Sequence, residues 1–244
     1  MPVEHASPPV RPRHHRAERG DVTREKLLSA AIDVFGRNGF DATTTRALAR
    51  AAGVNLQAIP YHFGGKQGLY IAAAEHIGSL IATHTAGVRE KAAARLREAE
   101  AQGATIGTDE ARALLSGILR KMAALFIGPE SEPWARFLIR EQMAPTEAFR
   151  RIYAGVMKPM LGLLGTLVSV LLDDDPHSEH VRLRTMSLVG GVLVFRVAHA
   201  AVRSHLGWDA VGSREVEAVC AIAGELAASI DKPQKSAQPS PENR

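Results

Sequence analysis

Residues 43–66, TTTRALARAAGVNLQAIPYHFGGK, carry the side chains whose types and spacing bear most directly on chemistry. Leu48, Ala49 and Ala52 share one face of a first helical pattern, and Gly53 follows where a tight helix-to-helix turn needs positive φ. Asn55 supplies a side-chain cap for a second, short helix, LQAIPYHF. In that helix Ile59 and Phe63 turn inward four residues apart, which leaves Leu56, Gln57, Ala58, Tyr61 and His62 facing outward. The pattern is a helix-turn-helix, and its exposed second helix has the form that enters a DNA major groove.

Charge placement points the same way. The formal net charge of the 244 residues is only +4, but residues 1–66 hold ten Lys and Arg against six Asp and Glu, whereas residues 67–244 hold twenty of each. No acidic residue falls between Asp41 and Glu75, while Arg46, Arg50 and Lys66 lie inside that window, so the segment meets phosphates without repulsion. Arg11, Arg13, Arg16 and Arg19 add a basic stretch that is either a solvated tail or an arm along the DNA.

Other chemistries find little support. There is no Gly-rich phosphate loop, nucleophile elbow or zinc-hydrolase motif. His177 and His180 stand beside Asp173, Asp174 and Asp175, a set that either gathers a cation or forms a solvated acidic cap; the predicted loop favours the cap, and no metal and no cofactor is expected. The single cysteine, Cys220, excludes an internal disulfide framework and fits a reducing cytoplasm. The N-terminal stretch has no apolar signal core, and the longest apolar run, 160–172, is short of a membrane span, so no membrane partner is expected.

The elements that must position the reading helix are all helical. Helices are predicted over 23–38, across the helix-turn-helix, and over 66–97, 109–126, 133–143, 146–172 (bent near Pro159), 179–206 and 213–230, with a loop at 98–108. The fold class is all-α: a disordered basic tail at 1–20, a helix-turn-helix DNA-binding domain at 21–66, a larger effector-binding and dimerisation domain at 67–230, and a disordered tail at 231–244. Pro60 removes one helical donor and disfavours α geometry at Ile59, so the reading helix is expected to be short or distorted.

The stretch TREKLLSAAIDVFGRNGFDATTTRALARAAGVNLQAIPYHFGGKQGLY resembles the N-terminal domain of the TetR family of transcriptional regulators, with Ala30, Ala31, Phe35, Gly39, Phe40, Leu48, Ala49, Gly53, Tyr61, His62, Phe63, Lys66 and Leu69 in register. The later segment EPWARFLIREQMAPTEAF is similar to a CecR-like branch of that family. The resemblance implies that Thr44 caps the second helix and bonds a phosphate, that Thr45, Arg46, Tyr61, His62 and Lys66 meet the DNA backbone, and that Asn55, Leu56, Gln57 and Ala58 lie at the reading end of the third helix. Of these, Leu56, Gln57 and Ala58 meet base edges: Gln57 can pair bidentately with adenine, and Leu56 or Ala58 can meet a thymine methyl.

The resemblance further implies a ligand-binding and dimerising role for the remaining helices. Candidate pocket residues are Met122, Phe126, Trp134, Phe137, Tyr153, Met157 and Phe195, with Arg140, Glu141 and His199 as polar contacts. Each apolar member also fits ordinary core, and Trp134, Arg140 and Glu141 fit either a ligand site or a structural ion pair. Leu188 and Val192 on one helix, and Val216, Val219, Ala223 and Leu226 on the last, recur at spacings of three and four and fit either a twofold four-helix interface or the core of one protomer. The expected protein is a cytoplasmic, homodimeric repressor that binds a palindromic double-stranded operator, is released by an unknown small-molecule effector, and is not an enzyme; the rivals are a constitutive DNA binder and a helical enzyme.

Overall fold

The computed structural model describes residues 14–231, with side chains from residue 20 onward. Eleven α-helices and no strand occur among the described residues: α1 (His14–Asn38), α2 (Thr45–Ala52), α3 (Ala58–Phe63), α4 (Lys66–Ala101), α5 (Thr108–Ile127), α6 (Glu132–Met143), α7 (Glu147–Ile152), α8 (Lys158–Leu172), α9 (Glu179–Val197), α10 (His199–Leu206) and α11 (Ser213–Ala228). They fall into two compact units, residues 1–76 with 136–149, and residues 77–135 with 150–244. The first unit is therefore larger than the segment 21–66 assigned by sequence, because it takes in the start of α4 and the end of α6.

In the first unit the apolar stripe of α1 buries Leu27, Leu28, Ala31, Ile32 and Phe35 against Leu48 and Ala49 of α2 and Ile59 of α3. Full burial of each leucine or isoleucine stabilises by roughly 1.5–3 kcal/mol. A ring cluster extends this core: Tyr70 lies edge-on to Phe35 at 4.8 Å and to Phe40 at 5.1 Å, and its other neighbour is Phe137 of α6 at 4.7 Å. α1 begins at His14 rather than near residue 23, so residues 14–20 of the expected tail are helical. Residues 1–13 and 232–244 of the two expected tails lie outside the described residues.

The end of α6 is bound into this unit by two charged side chains. Arg140 donates its Nε to the carbonyl of Gly36 at 2.8 Å and its Nη2 to that of Arg37 at 2.6 Å, which satisfies carbonyls that the last turn of α1 leaves without helical partners. The Arg140 guanidinium reaches Gly39, whose φ is +80° and where an added Cβ would sit 3.2 Å from Nη1. Glu141 is buried, and its carboxylate accepts from Tyr70 Oη, from Thr146 N at 3.1 Å and from Phe149 N at 2.9 Å. Burial, and after it the Glu141 carboxylate, push the Tyr70 phenol well above the ordinary tyrosine range.

The second unit is a helical bundle. Leu115, Ile118 and Leu119 of α5, Leu164, Leu167 and Val168 of α8, Val181 and Val192 of α9, and Val219 and Ala223 of α11 share one core. The 26 residues Glu147–Leu172 are long and apolar enough to cross a membrane, longer than the run judged from sequence, but half of an apolar 18-residue stretch within them is buried inside the protein and α8 packs on α5 and α9. A core helix passes the same test of length and composition.

From α4 onward the larger differences from the predicted boundaries are these. α4 continues to Ala101, which shortens the expected loop to residues 102–107. The helix predicted over 146–172 is interrupted by a π-helical turn, Tyr153–Met157, just before Pro159, where the proline cannot donate to a carbonyl in the preceding turn and the backbone rewinds locally. The helix predicted over 179–206 is α9 and α10, set at 78° about Ala198.

Two further arginines act at helix ends as Arg140 does. Arg196 donates Nε to Phe126 O at 2.6 Å and Nη2 to the carbonyls of Ile127 and Gly128 at 2.8 and 2.7 Å, at the end of α5. Arg112 donates Nη1 to Ala228 O at 2.7 Å and Ile230 O at 2.8 Å, at the end of α11.

Candidate nucleic-acid interface

Local hydrogen bonds shape the reading element. Thr44, extended at φ −101° and ψ 152°, accepts from Ala47 N at 3.1 Å and so caps α2, while its neighbour Thr43 is buried and donates to Gly39 O at 2.6 Å. Gly53 ends α2 in the left-handed region at φ +63°, with Val54 N bonded to Ala49 O at 3.0 Å. Asn55 Oδ1 accepts from Gln57 N at 2.9 Å and Ala58 N bonds Asn55 O at 3.0 Å, so Asn55 closes the turn and does not cap the helix as expected: α3 starts at Ala58, two residues after the predicted start, and its N-cap Gln57 makes no side-chain capping bond.

Pro60 does not break α3. It is the third residue of the helix, in the first turn, where backbone N–H groups have no intrahelical acceptor, so the missing donor leaves no ladder bond unmade. The helix closes around it: Tyr61 N bonds Gln57 O at 3.2 Å, and Gly64 N bonds Pro60 O at 3.0 Å. The expected distortion is therefore absent, although the helix is short, six residues.

α3 turns inward through Ile59, which is fully buried; Pro60 and Tyr61 on the helix and Asn55, Leu56 and Gln57 in the turn before it are exposed, Tyr61 to 81%. Ala58 and His62 are half-buried at the flank. An open recess on this surface is lined by Gln57, Ala58, Pro60, Tyr61 and His62. Thr44 at the N-cap of α2 and Arg46 in its first turn are exposed, and Thr45 is half-buried.

Lys66 opens α4 with its Nζ 4.2 Å from the centre of the Phe40 ring, a cation–π contact that holds the ammonium at the start of the helix. Gly68 one turn on has no freedom to carry a side chain: an added Cβ would lie 1.8 Å from the carbonyl oxygen of Phe63, so α3 and α4 meet backbone to backbone. Arg24, which no sequence pattern singles out, lies 5.5 Å over the Phe63 ring and adds a cation beside α3. His62 lies edge-on to Tyr61 at 4.8 Å.

The effector candidates divide between the units. Phe137, Arg140 and Glu141 belong to the first unit, where they contact Tyr70 and the end of α1 in a structural network. In the second unit Trp134 is buried and lies edge-on to Phe126 at 5.3 Å, Met122 is buried, and Met157, Phe195 and His199 are half-buried. Tyr153 stands on the π-helical turn and is 40% exposed. The acidic loop forms a cap for α9: Ser178 accepts from Val181 N at 3.1 Å and donates to Asp174 at 3.0 Å, and the Ser178 hydroxyl, followed by the backbone N–H of Asp175, holds the Asp174 carboxyl below its ordinary range.

Of the dimer candidates, Leu188, Val192, Val219 and Ala223 are buried in the protomer's own core, and Val216 and Leu226 pack against that core. The outward faces of the same helices carry Leu183, Met186, Val194 and Val197 on α9 and Ile222 on α11, all exposed. Helical periodicity finds the apolar positions of a helix but cannot tell an inward stripe from an outward one when both are apolar.

Two family models match the chain. Residues 27–73 match the family model of bacterial regulatory proteins, tetR family, and residues 111–231 match that of the HTH-type transcriptional dual regulator CecR, C-terminal domain. The chain is 29% identical over 201 residues to the HTH-type transcriptional dual regulator CecR of Shigella flexneri, covering 82% of this chain and 87% of the relative. It is 39% identical over 62 residues to the HTH-type transcriptional repressor NicS of Pseudomonas putida, covering 25% of this chain and 29% of that one. Among solved structures, SCO4454, a TetR-family transcriptional regulator of Streptomyces coelicolor, aligns with a TM-score of 0.61 at 14% identity, covering 92% of this chain and 98% of its own. FadR of Bacillus subtilis, solved in complex with stearoyl-CoA, aligns with a TM-score of 0.54 at 16% identity, covering 84% and 97%.

Proposed function

We propose, from the premise that this chain belongs to the TetR family of transcriptional regulators, that it is a homodimeric repressor which binds a palindromic operator and is released by a small molecule bound among the helices of its second unit. The observation that carries the reading is the outward face of the helix-turn-helix. Gln57 at the N-cap of α3 and Tyr61 on it stand exposed, Thr44 at the N-cap of α2 and Arg46 on it stand exposed, and no acidic residue interrupts residues 42–74. Gln57 offers paired donor and acceptor to an adenine edge, while Thr44, Arg46, Tyr61, His62 and Lys66 offer donors to phosphates.

Twofold assembly accounts for the exposed apolar face of α9 and α11. Leu183, Met186, Val194 and Val197 recur at intervals of three, eight and three residues along α9, and a second copy of the same face would cover them. Two reading helices in such a dimer match two half-sites about 34–36 Å apart or a multiple of that spacing. FadR of Bacillus subtilis, whose fold is similar, was solved in complex with stearoyl-CoA, which supports a ligand among the helices of the second unit. An effector that binds the DNA-competent and DNA-incompetent states equally would shift nothing, so release requires a difference in affinity between them.

The test is a fluorescence-anisotropy titration of the full chain against duplexes covering the DNA that flanks its own gene, repeated over a range of salt. A sequence-selective complex whose affinity falls steeply with salt is expected; binding that is indifferent to sequence at every salt concentration overturns the reading.

A further inference from the structure

The connection between α1 and α2 carries both ends of the proposed backbone clamp. At its far end Thr44 caps α2, with Arg46 in the first turn of that helix, and from its middle the centre of the Phe40 ring lies 4.2 Å from Lys66 Nζ. The connection is closed on itself: Thr43 donates Oγ1 to Gly39 O at 2.6 Å and its backbone N–H to Phe40 O at 3.2 Å. It therefore shifts as one piece and takes Thr44 and Phe40 with it. Two successive residues of α6 hold that piece. Arg140 grips its departure point, the carbonyls of Gly36 and Arg37, and lays Nη1 beside Gly39. Glu141 grips it through Tyr70, which donates Oη to the carboxylate and sets its ring edge-on to Phe40 at 5.1 Å. Tyr70 also stands one turn after Lys66 on α4, so the same carboxylate bears on that cation through its ring partner and through its helix.

We infer that Arg140 and Glu141 are positioning residues for DNA binding, which fix the connection so that Arg46 and Lys66 meet backbone phosphates together. The inference rests on the reading of the helix-turn-helix as the DNA-binding face. Phosphate contacts set register on the duplex, and cations on two different helices share one register only if the chain between α1 and α2 is held. Donors fixed in place before binding also lose less freedom when they meet the phosphates. A staple that merely joined α6 to α1 could take any polar group on α1. This pair takes the two carbonyls from which the connection departs and the ring that packs on Phe40.

Each cation that meets a phosphate adds about 0.9 to the slope of log affinity against log salt. The slope thus counts the cations in place, whereas a loss of folded protein lowers apparent affinity and leaves the slope alone. The operator is selected from random duplexes with the full chain, and slopes are measured for the wild type, R140A, Y70F, K66A, R140A/K66A and L28A, the last a core truncation in the middle of α1. R140A and Y70F should each flatten the slope by about 0.9 to 1.8, for one or both cations displaced. K66A should flatten it less in the R140A background than in the wild type, and L28A should leave it unchanged. A wild-type slope in either R140A or Y70F, full additivity of R140A with K66A, or an equal flattening in L28A overturns the inference and leaves the DNA-reading role intact. A wild-type chain that selects no sequence overturns both. Y70F decides alone if R140A does not fold, since it keeps the ring and loses only the bond to Glu141.

Discussion

The phenol of Tyr70 donates to the carboxylate of Glu141, a residue 71 positions later in the chain, inside the unit that carries the reading helix. The same carboxylate accepts the backbone amides of Thr146 and Phe149, so a single buried acid ties together the start of α4, the end of α6 and the start of α7. Y70F leaves this acid short of one donor, and a stability loss of about 1–3 kcal/mol is expected in urea melts.

The same bond carries a pH dependence. Because the folded Tyr70 pKa lies above its unfolded value, its contribution to stability is complete below about pH 10, the ordinary phenol range, and declines as pH rises towards the folded value. Denaturant midpoints of the wild type should therefore contain an alkaline decline that Y70F lacks; identical alkaline profiles would show that the bond contributes nothing.

Arg140 holds α6 to the last carbonyls of α1 with a fork that a point charge cannot reproduce. R140A should lower the stability of the first unit by about 1.5–3 kcal/mol, and R140K should recover less than half of it. Hydrogen exchange at the end of α1 is the direct readout, and protection there should fall in both variants.

G68A forces a methyl into the carbonyl of Phe63 and must separate α3 from α4. Loss of operator binding together with a lowered melting temperature is expected. A variant that melts at the wild-type temperature would mean that the two helices tolerate the shift.

The DNA contacts proposed for Gln57 and Lys66 should separate into two kinds by their salt dependence. Q57A should cost about 1–3 kcal/mol at one base position and leave the salt slope unchanged, whereas K66A should weaken all sequences alike and reduce the slope by about 0.9.

The helix-turn-helix was legible because its signals are local. Thr44, Gly53 and Asn55 act on residues within five positions of themselves, and Ile59 and Phe63 disclose the inward face by spacing alone. Pro60 left open whether α3 is short or distorted, because its effect depends on where the helix begins, and short helices have poorly marked starts; α3 is short and regular. Arg140 and Glu141 stand out in the sequence as charged groups beside apolar ones, but their partners lie 104 and 71 residues away and nothing in the intervening chain names them. The bend at Ala198 has no proline or glycine at the break to announce it.

The oligomer prediction follows from the same distinction between inward and outward stripes. M186D and V194D place charges on the exposed face of α9 and should shift the protein to monomers in sedimentation equilibrium with helical content retained. L188D, one turn around the same helix but inward, should fail to fold.

Arg112, Arg140 and Arg196 each grip a helix terminus that lies 115, 104 and 70 residues away in the chain. Contacts that close such long loops require both partner helices to be in place first, and so they complete late in folding. Stabilisation added after the transition state slows escape from the native state and leaves its formation almost untouched. The three guanidinium grips thus act on the lifetime of the folded regulator: removing any one should shorten that lifetime, while newly made chains mature at the same pace.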